Sequence, residues 1–116
     1  MTILYGIKNC DTVRKARKWL EAHDVPFTFH DFRRDGLDEA TLRDWAEAVD
    51  WETLLNRRGT TWRKLPEAQR DDIDERKAIQ LMLDNPTLIK RPVLVDADWV
   101  HVGFSPDDYA ALFGKE

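Results

Sequence analysis

Strand-forming patterns in this chain are confined to its two ends, and the long stretch between them carries helical periodicity broken by an irregular segment and a polar turn. Residues 2–6 alternate weakly and stop at Gly6, while Phe27-Thr28-Phe29-His30-Asp31-Phe32 alternates apolar and polar with period two. Near the other end, Pro92–Asp96 reads as a buried strand, and Asp96-Ala97-Asp98 turns it into a partner, Trp99–Val102. Between the first two strands Val13, Ala16, Trp19 and Leu20 form one apolar stripe. A helix therefore joins them, opened by Asp11 or Thr12 as cap. It stops near His23-Asp24, because Pro26 disfavours helical geometry at Val25. Strands joined through a helix pair in parallel, and a hairpin pairs antiparallel, so the sheet must be mixed.

The middle of the chain is helical. Asp38 caps a helix carrying Leu42, Trp45, Ala46 and Val49, then Trp51–Leu55 is irregular and Asn56–Thr61 reads as a polar turn. Asp72 or Asp74 opens a further helix through Ala78, Ile79, Met82 and Leu83, closed by Asn85-Pro86. After the hairpin, Ser105-Pro106-Asp107-Asp108 supplies a capping serine, proline at the first helical position and an acid at the third. The last helix turns Tyr109, Leu112 and Phe113 inward and ends at Gly114. This order predicts an α/β chain with a thioredoxin-like (glutaredoxin-like) mixed sheet. An all-helical block is inserted at roughly 37–85 of a single domain covering 1–116.

A single cysteine among 116 residues rules out an internal disulfide, which suits a reducing compartment and predicts a cytoplasmic protein. The formal charge of −4 lacks the bulk basic character of a general nucleic-acid binder, so no nucleic-acid partner is expected. No apolar run approaches the roughly 20 residues a membrane span needs, and the N-terminus reads as a strand rather than a signal peptide. His23, His30 and His101 lack metal-ligand spacing, so no metal is expected. The five tryptophans read mainly as core residues, with Trp62, in the polar turn, the candidate for lining a cleft.

The lone thiol sits between a strand and the first turn of a helix, in Gly6-Ile7-Lys8-Asn9-Cys10-Asp11-Thr12-Val13-Arg14-Lys15. Unpaired N–H groups and the helix dipole favour negative charge there, so the thiol pKa should fall and the thiolate should be the reactive form. Lys8 and Arg14 are expected to add positive charge, with Asp11 working against them. Asn9 and Thr12 are further candidates for donating to a bound anion. In a thioredoxin arrangement Pro92 faces the cysteine loop, is expected to be cis, and offers backbone to an extended thiol ligand. Arg91 projects toward the same cleft, able to fork two hydrogen bonds to a carboxylate or oxyanion.

Three blocks carry a family resemblance: Tyr5–Ala16 around Cys10, Gly59-Thr60-Thr61-Trp62-Arg63-Lys64-Leu65, and Ile89-Lys90-Arg91-Pro92-Val93-Leu94. In that order and approximate spacing they resemble the ArsC/Spx family, in particular its YffB-type branch of arsenate-reductase-like proteins. The resemblance implies that Cys10 is the nucleophile and that Arg91 is the arginine before a cis-proline. It further implies glutathione, or another small thiol, as co-substrate with no bound cofactor, and glutaredoxin as a partner. Arsenate reductases of this type carry an arginine just after a leucine pair. Here Leu54-Leu55 is followed by Asn56, with Arg57 and Arg58 shifted along, and either of these is the candidate to face the cleft. Those reductases carry another arginine before the last helix's proline, where this chain has Ser105. The expectation is thus a glutathione-dependent thiol oxidoreductase with one nucleophilic cysteine. Genuine arsenate reduction is the second reading. An Spx-like, non-catalytic regulator binding RNA polymerase is the third, disfavoured because Val13 stands where a Cys-x-x-Cys pair needs its second cysteine.

Overall fold

The computed structural model describes residues 1–115 as two compact units. One comprises Met1–Asp35 and the chain from Arg91 onward; the other is Gly36–Lys90.

The first unit holds the sheet. Strand β1 (Ile3–Gly6) leads into helix α1 (Asp11–Ala22) and strand β2 (Thr28–Asp31), which ends in a single helical turn, α2 (Phe32–Asp35). Across the sheet the order is β2-β1-β3-β4, with β3 at Val93–Val95 and β4 at Val100–Val102. β1 and β2 are parallel, with Gly6 opposite Asp31; β1 and β3 are antiparallel, with Tyr5 opposite Val93. β3 and β4 form the antiparallel hairpin. This is the mixed sheet of a thioredoxin-like fold, as the element order predicts.

Helix α1 buries Val13, Ala16 and Leu20, the stripe legible in the sequence. Leu4, Ala16, Leu20, Leu94 and Tyr109 make a fully buried core cluster, each leucine contributing about 1.5–3 kcal/mol of burial. The last helix, α8 (Pro106–Phe113), opens as expected, with Ser105 Oγ accepting from the Asp108 N–H at 3.0 Å. It closes on Gly114, whose positive φ of 65° suits a residue without a side chain. Tyr109 fixes α8 in this core, edge-on to Trp19 at 5.6 Å and to Phe104 at 4.7 Å between ring centroids.

The second unit is helical. Helix α3 (Glu39–Val49) begins at Asp38, whose carboxylate accepts from the Thr41 N–H at 2.8 Å. Short helices α4 (Trp51–Leu54), α5 (Thr60–Lys64) and α6 (Glu67–Arg70) follow. Helix α7 (Glu75–Asp84) is capped by Asp74, through the Lys77 N–H at 2.8 Å, and a 3₁₀ turn at Pro86–Leu88 completes the unit. Three of these elements depart from the sequence reading: α4 forms in the stretch expected to be irregular, α5 occupies part of the expected polar turn, and α6 had no periodic signal. Lys77 accounts for the end of α6, its ammonium donating to the carbonyls of Ala68 and Asp71. That is satisfaction of a helix terminus by a distant side chain, which local patterning does not reveal. Among the described residues no helix is long and apolar enough to cross a membrane.

Candidate functional site

The register of the sheet brings three segments to one edge. Because β1 and β2 run in parallel, Gly6 and Asp31 end side by side. Because β3 runs against β1, its first residue lies beside the same end, so Arg91, just before β3, arrives where the cysteine loop departs. Asp31 anchors that loop: its carboxylate accepts from the Lys8 backbone N–H at 3.3 Å and from the Arg33 N–H at 2.8 Å. A tight turn follows, with the Cys10 N–H donating to the Ile7 carbonyl at 3.1 Å.

The structure places the helix start one residue earlier than the sequence suggests. Cys10 itself is the N-cap, extended at φ −84° and ψ 126°, and its carbonyl accepts from the Arg14 N–H at 3.0 Å. Neither Asp11 nor Thr12 caps the helix; both lie inside it. The consequence is chemical, because an N-cap side chain points at the N–H groups two and three residues on. Half-burial pushes the Cys10 thiol pKa up, but the Val13 N–H, the Arg91 guanidinium (by hydrogen bond and by charge) and the Thr12 N–H together bring it below the ordinary thiol value. Sequence reading missed Val13 as a donor since its role is positional: any residue three beyond the cap presents that N–H.

Close packing fixes this geometry. Gly6 ends β1 directly against Val13; a methyl group built at Gly6 would lie 2.7 Å from Val13 Cγ2 and 3.1 Å from Cγ1. The glycine therefore lets the first turn of α1 seat close to the strand that delivers the loop.

Other expected site residues fall in different places. Arg14 is paired with Asp11 on the exposed surface of α1, and Lys8 is exposed; neither is among the groups lowering the thiol pKa, contrary to expectation. Thr12 acts through its backbone N–H rather than its hydroxyl. Asn9 is exposed in the loop. The Arg91–Pro92 bond is cis, as expected, and Pro92 is buried. Its carbonyl accepts from the Gly103 N–H at 2.8 Å, and proline has no N–H, so Pro92 contributes shape to the site rather than the ligand-pairing edge expected of it. Arg57 and Arg58 belong to the helical unit, where they line a cavity with Glu52, Leu55 and Lys90. Trp62 is in that unit too, with the Arg57 guanidinium 5.7 Å from its ring centroid. No cluster of three metal-ligating side chains occurs among the described residues.

Residues 5–112 match the ArsC family. The chain belongs to that family. Among solved structures it is similar to the YffB protein, at 55% identity and a TM-score of 0.93, covering 96% of this chain and 97% of that one. It is also similar to an arsenate reductase (ArsC) related protein from Brucella melitensis, at 52% identity and a TM-score of 0.78, covering 97% and 93%. An uncharacterized protein of Haemophilus influenzae is 43% identical over 113 residues, 97% of this chain and 99% of that protein. As an ArsC family member the chain is arsenate-reductase-related, and the family includes arsenate reductases.

Proposed function

We propose that this ArsC family protein is a glutathione-dependent thiol oxidoreductase in which Cys10 is the only nucleophile. The observation that carries the reading is the thiol at the cap of a 12-residue helix, its pKa lowered despite partial burial by two backbone N–H groups and the Arg91 guanidinium. A thiol so placed ionises more readily than an ordinary one, and its thiolate is also a better leaving group in the return step.

The reaction needs two exchanges. The Cys10 thiolate attacks one sulfur of a substrate–glutathione mixed disulfide; the S–S bond breaks, and its electron pair leaves on the substrate as thiolate. Cys10 is then linked to glutathione. A second glutathione thiolate attacks the glutathione sulfur of that adduct, releasing the Cys10 thiolate and oxidised glutathione. The substrate thiol is freed, the one free glutathione consumed leaves joined to the glutathione the substrate carried, and no second protein cysteine is required. Glutaredoxin is the proposed protein partner for the same return step.

Two observations favour this reading over arsenate reduction. Asn56 Oδ1 is engaged with the Arg58 N–H at 3.1 Å, and Ser105 Oγ with the Asp108 N–H at 3.0 Å. These are the positions at which the resembled arsenate reductases place oxyanion-binding arginines. The test is turnover of a glutathionylated peptide with glutathione, with mass spectrometry of the trapped adduct on Cys10. Wild type should turn over and Cys10→Ser should not; turnover surviving in Cys10→Ser refutes the proposal. Arsenate with glutathione and glutaredoxin forms the second arm, in which arsenate-dependent glutathione oxidation would establish the narrower activity instead.

A further inference from the structure

The helical unit contains a cavity of about 410 Å³ bounded by Glu52, Leu55, Arg57, Arg58 and Lys90. That volume falls at the small end of ligand sites. Three cations and one carboxylate face it, within a chain whose formal charge is −4.

The walls are fixed by backbone rather than by the charged side chains. The Asn56 N–H donates to the Leu88 carbonyl at 2.7 Å, the Lys90 N–H donates to the Leu54 carbonyl at 2.8 Å, and Leu55 bridges Ile89 antiparallel. Leu54, Leu55, Leu88 and Ile89 are all buried, so this two-stranded clip is rooted in the core. Arg57, Arg58 and Lys90 rise from its ends. Asn56 Oδ1 sets the turn by accepting from the Arg58 N–H, and the Arg57 guanidinium lies 5.7 Å from the ring centroids of both Trp51 and Trp62. Held over aromatic faces, a guanidinium loses less freedom when it binds a ligand. Among the described residues no ion pair joins Glu52 to any of the three cations.

We propose that this cavity binds a free α-amino dicarboxylate such as glutamate. The complement is one of charge: two carboxylates for Arg57, Arg58 and Lys90, and one ammonium for Glu52. A ligand with carboxylates alone would leave Glu52 facing like charge, at a cost in affinity. Binding here does not depend on the thiol reaction at Cys10.

The test is an amide NMR titration of the Cys10→Ser protein at low ionic strength, where exposed charges are least screened. L-glutamate should shift the Arg57, Arg58 and Lys90 signals saturably, and glutarate, which lacks the ammonium, should bind about tenfold more weakly. Glu52→Gln should close that gap, and Arg57→Gln with Arg58→Gln should weaken glutamate at least tenfold while the spectrum stays dispersed. Shifts that do not saturate, or glutarate binding as tightly as glutamate to a protein with Glu52 intact, would overturn the proposal. Glu52→Gln lies on an exposed position, so its result does not depend on a core change being tolerated.

Discussion

Replacing Gly6 by alanine tests whether close packing between β1 and α1 sets the chemistry of Cys10. The added methyl would meet Val13 Cγ2 at 2.7 Å and Cγ1 at 3.1 Å, against a carbon–carbon optimum of about 3.5–4.0 Å. Val13 is fully buried and β-branched within a helix, so rotation cannot clear the clash and the backbone must give way. Overpacking of this kind costs about 1–3 kcal/mol. Reduced freedom of the unfolded chain returns about 0.4–1 kcal/mol, leaving a net loss of about 1–2 kcal/mol. Urea denaturation should show this as a lower midpoint at unchanged slope. The same displacement moves the Val13 N–H away from the sulfur, so the Cys10 thiol pKa should rise and alkylation at neutral pH should slow. Gly6→Ala combined with Val13→Ala should show favourable coupling, each change relieving part of the other's cost. A Gly6→Ala protein as stable as wild type, with an unchanged alkylation profile, would falsify the packing argument.

Arg91→Met removes a hydrogen bond and a positive charge from the sulfur, so the midpoint of Cys10 alkylation against pH should move upward; an unmoved midpoint assigns the whole effect to the helix start. Arg14→Ala should change neither that midpoint nor stability by more than about 0.5 kcal/mol, because its partner Asp11 is a surface carboxylate with 80% of its side chain exposed. Tyr109→Phe deletes a buried hydroxyl that has no hydrogen-bond partner, so calorimetry should find stability unchanged or increased, whereas a loss above about 1 kcal/mol would reveal a partner. Because the folded-state pKa of Cys10 lies below its unfolded value, the thiolate stabilises the fold fully above the unfolded value of about 8.5, and that contribution fades as pH falls through the folded one. Wild type should therefore gain stability relative to Cys10→Ser as pH rises, measured by urea denaturation across that window.

What the sequence revealed were features carried by residue type at fixed spacing. Asp38, Asp74 and Ser105 were all readable as caps, and each accepts from the N–H three residues on. The apolar stripe Val13, Ala16 and Leu20 and the alternation around Phe29 fixed the parallel pair, although β2 ends at Asp31 and Phe32 starts the next turn. The short helices Trp51–Leu54, Thr60–Lys64 and Glu67–Arg70 were hidden because four or five residues are too few to display a helical period. Asp31 looked like an ordinary strand residue; only the parallel register shows that it ties down the Lys8 loop. Arg14 looked like a thiol activator because it is near Cys10 in sequence, whereas Arg91 acts there from the other end of the chain.

The largest downward influence on Cys10's pKa comes from the Val13 main-chain amide, which no exchange of side chain short of proline can delete. Mutation can strip the guanidinium, recolour the surrounding surface or alter the ligand, and the sulfur would keep part of its acidity as long as the chain follows the same path. Drift among relatives should therefore abolish reactivity mainly by losing the sulfur itself, while the arginine serves as the adjustable control.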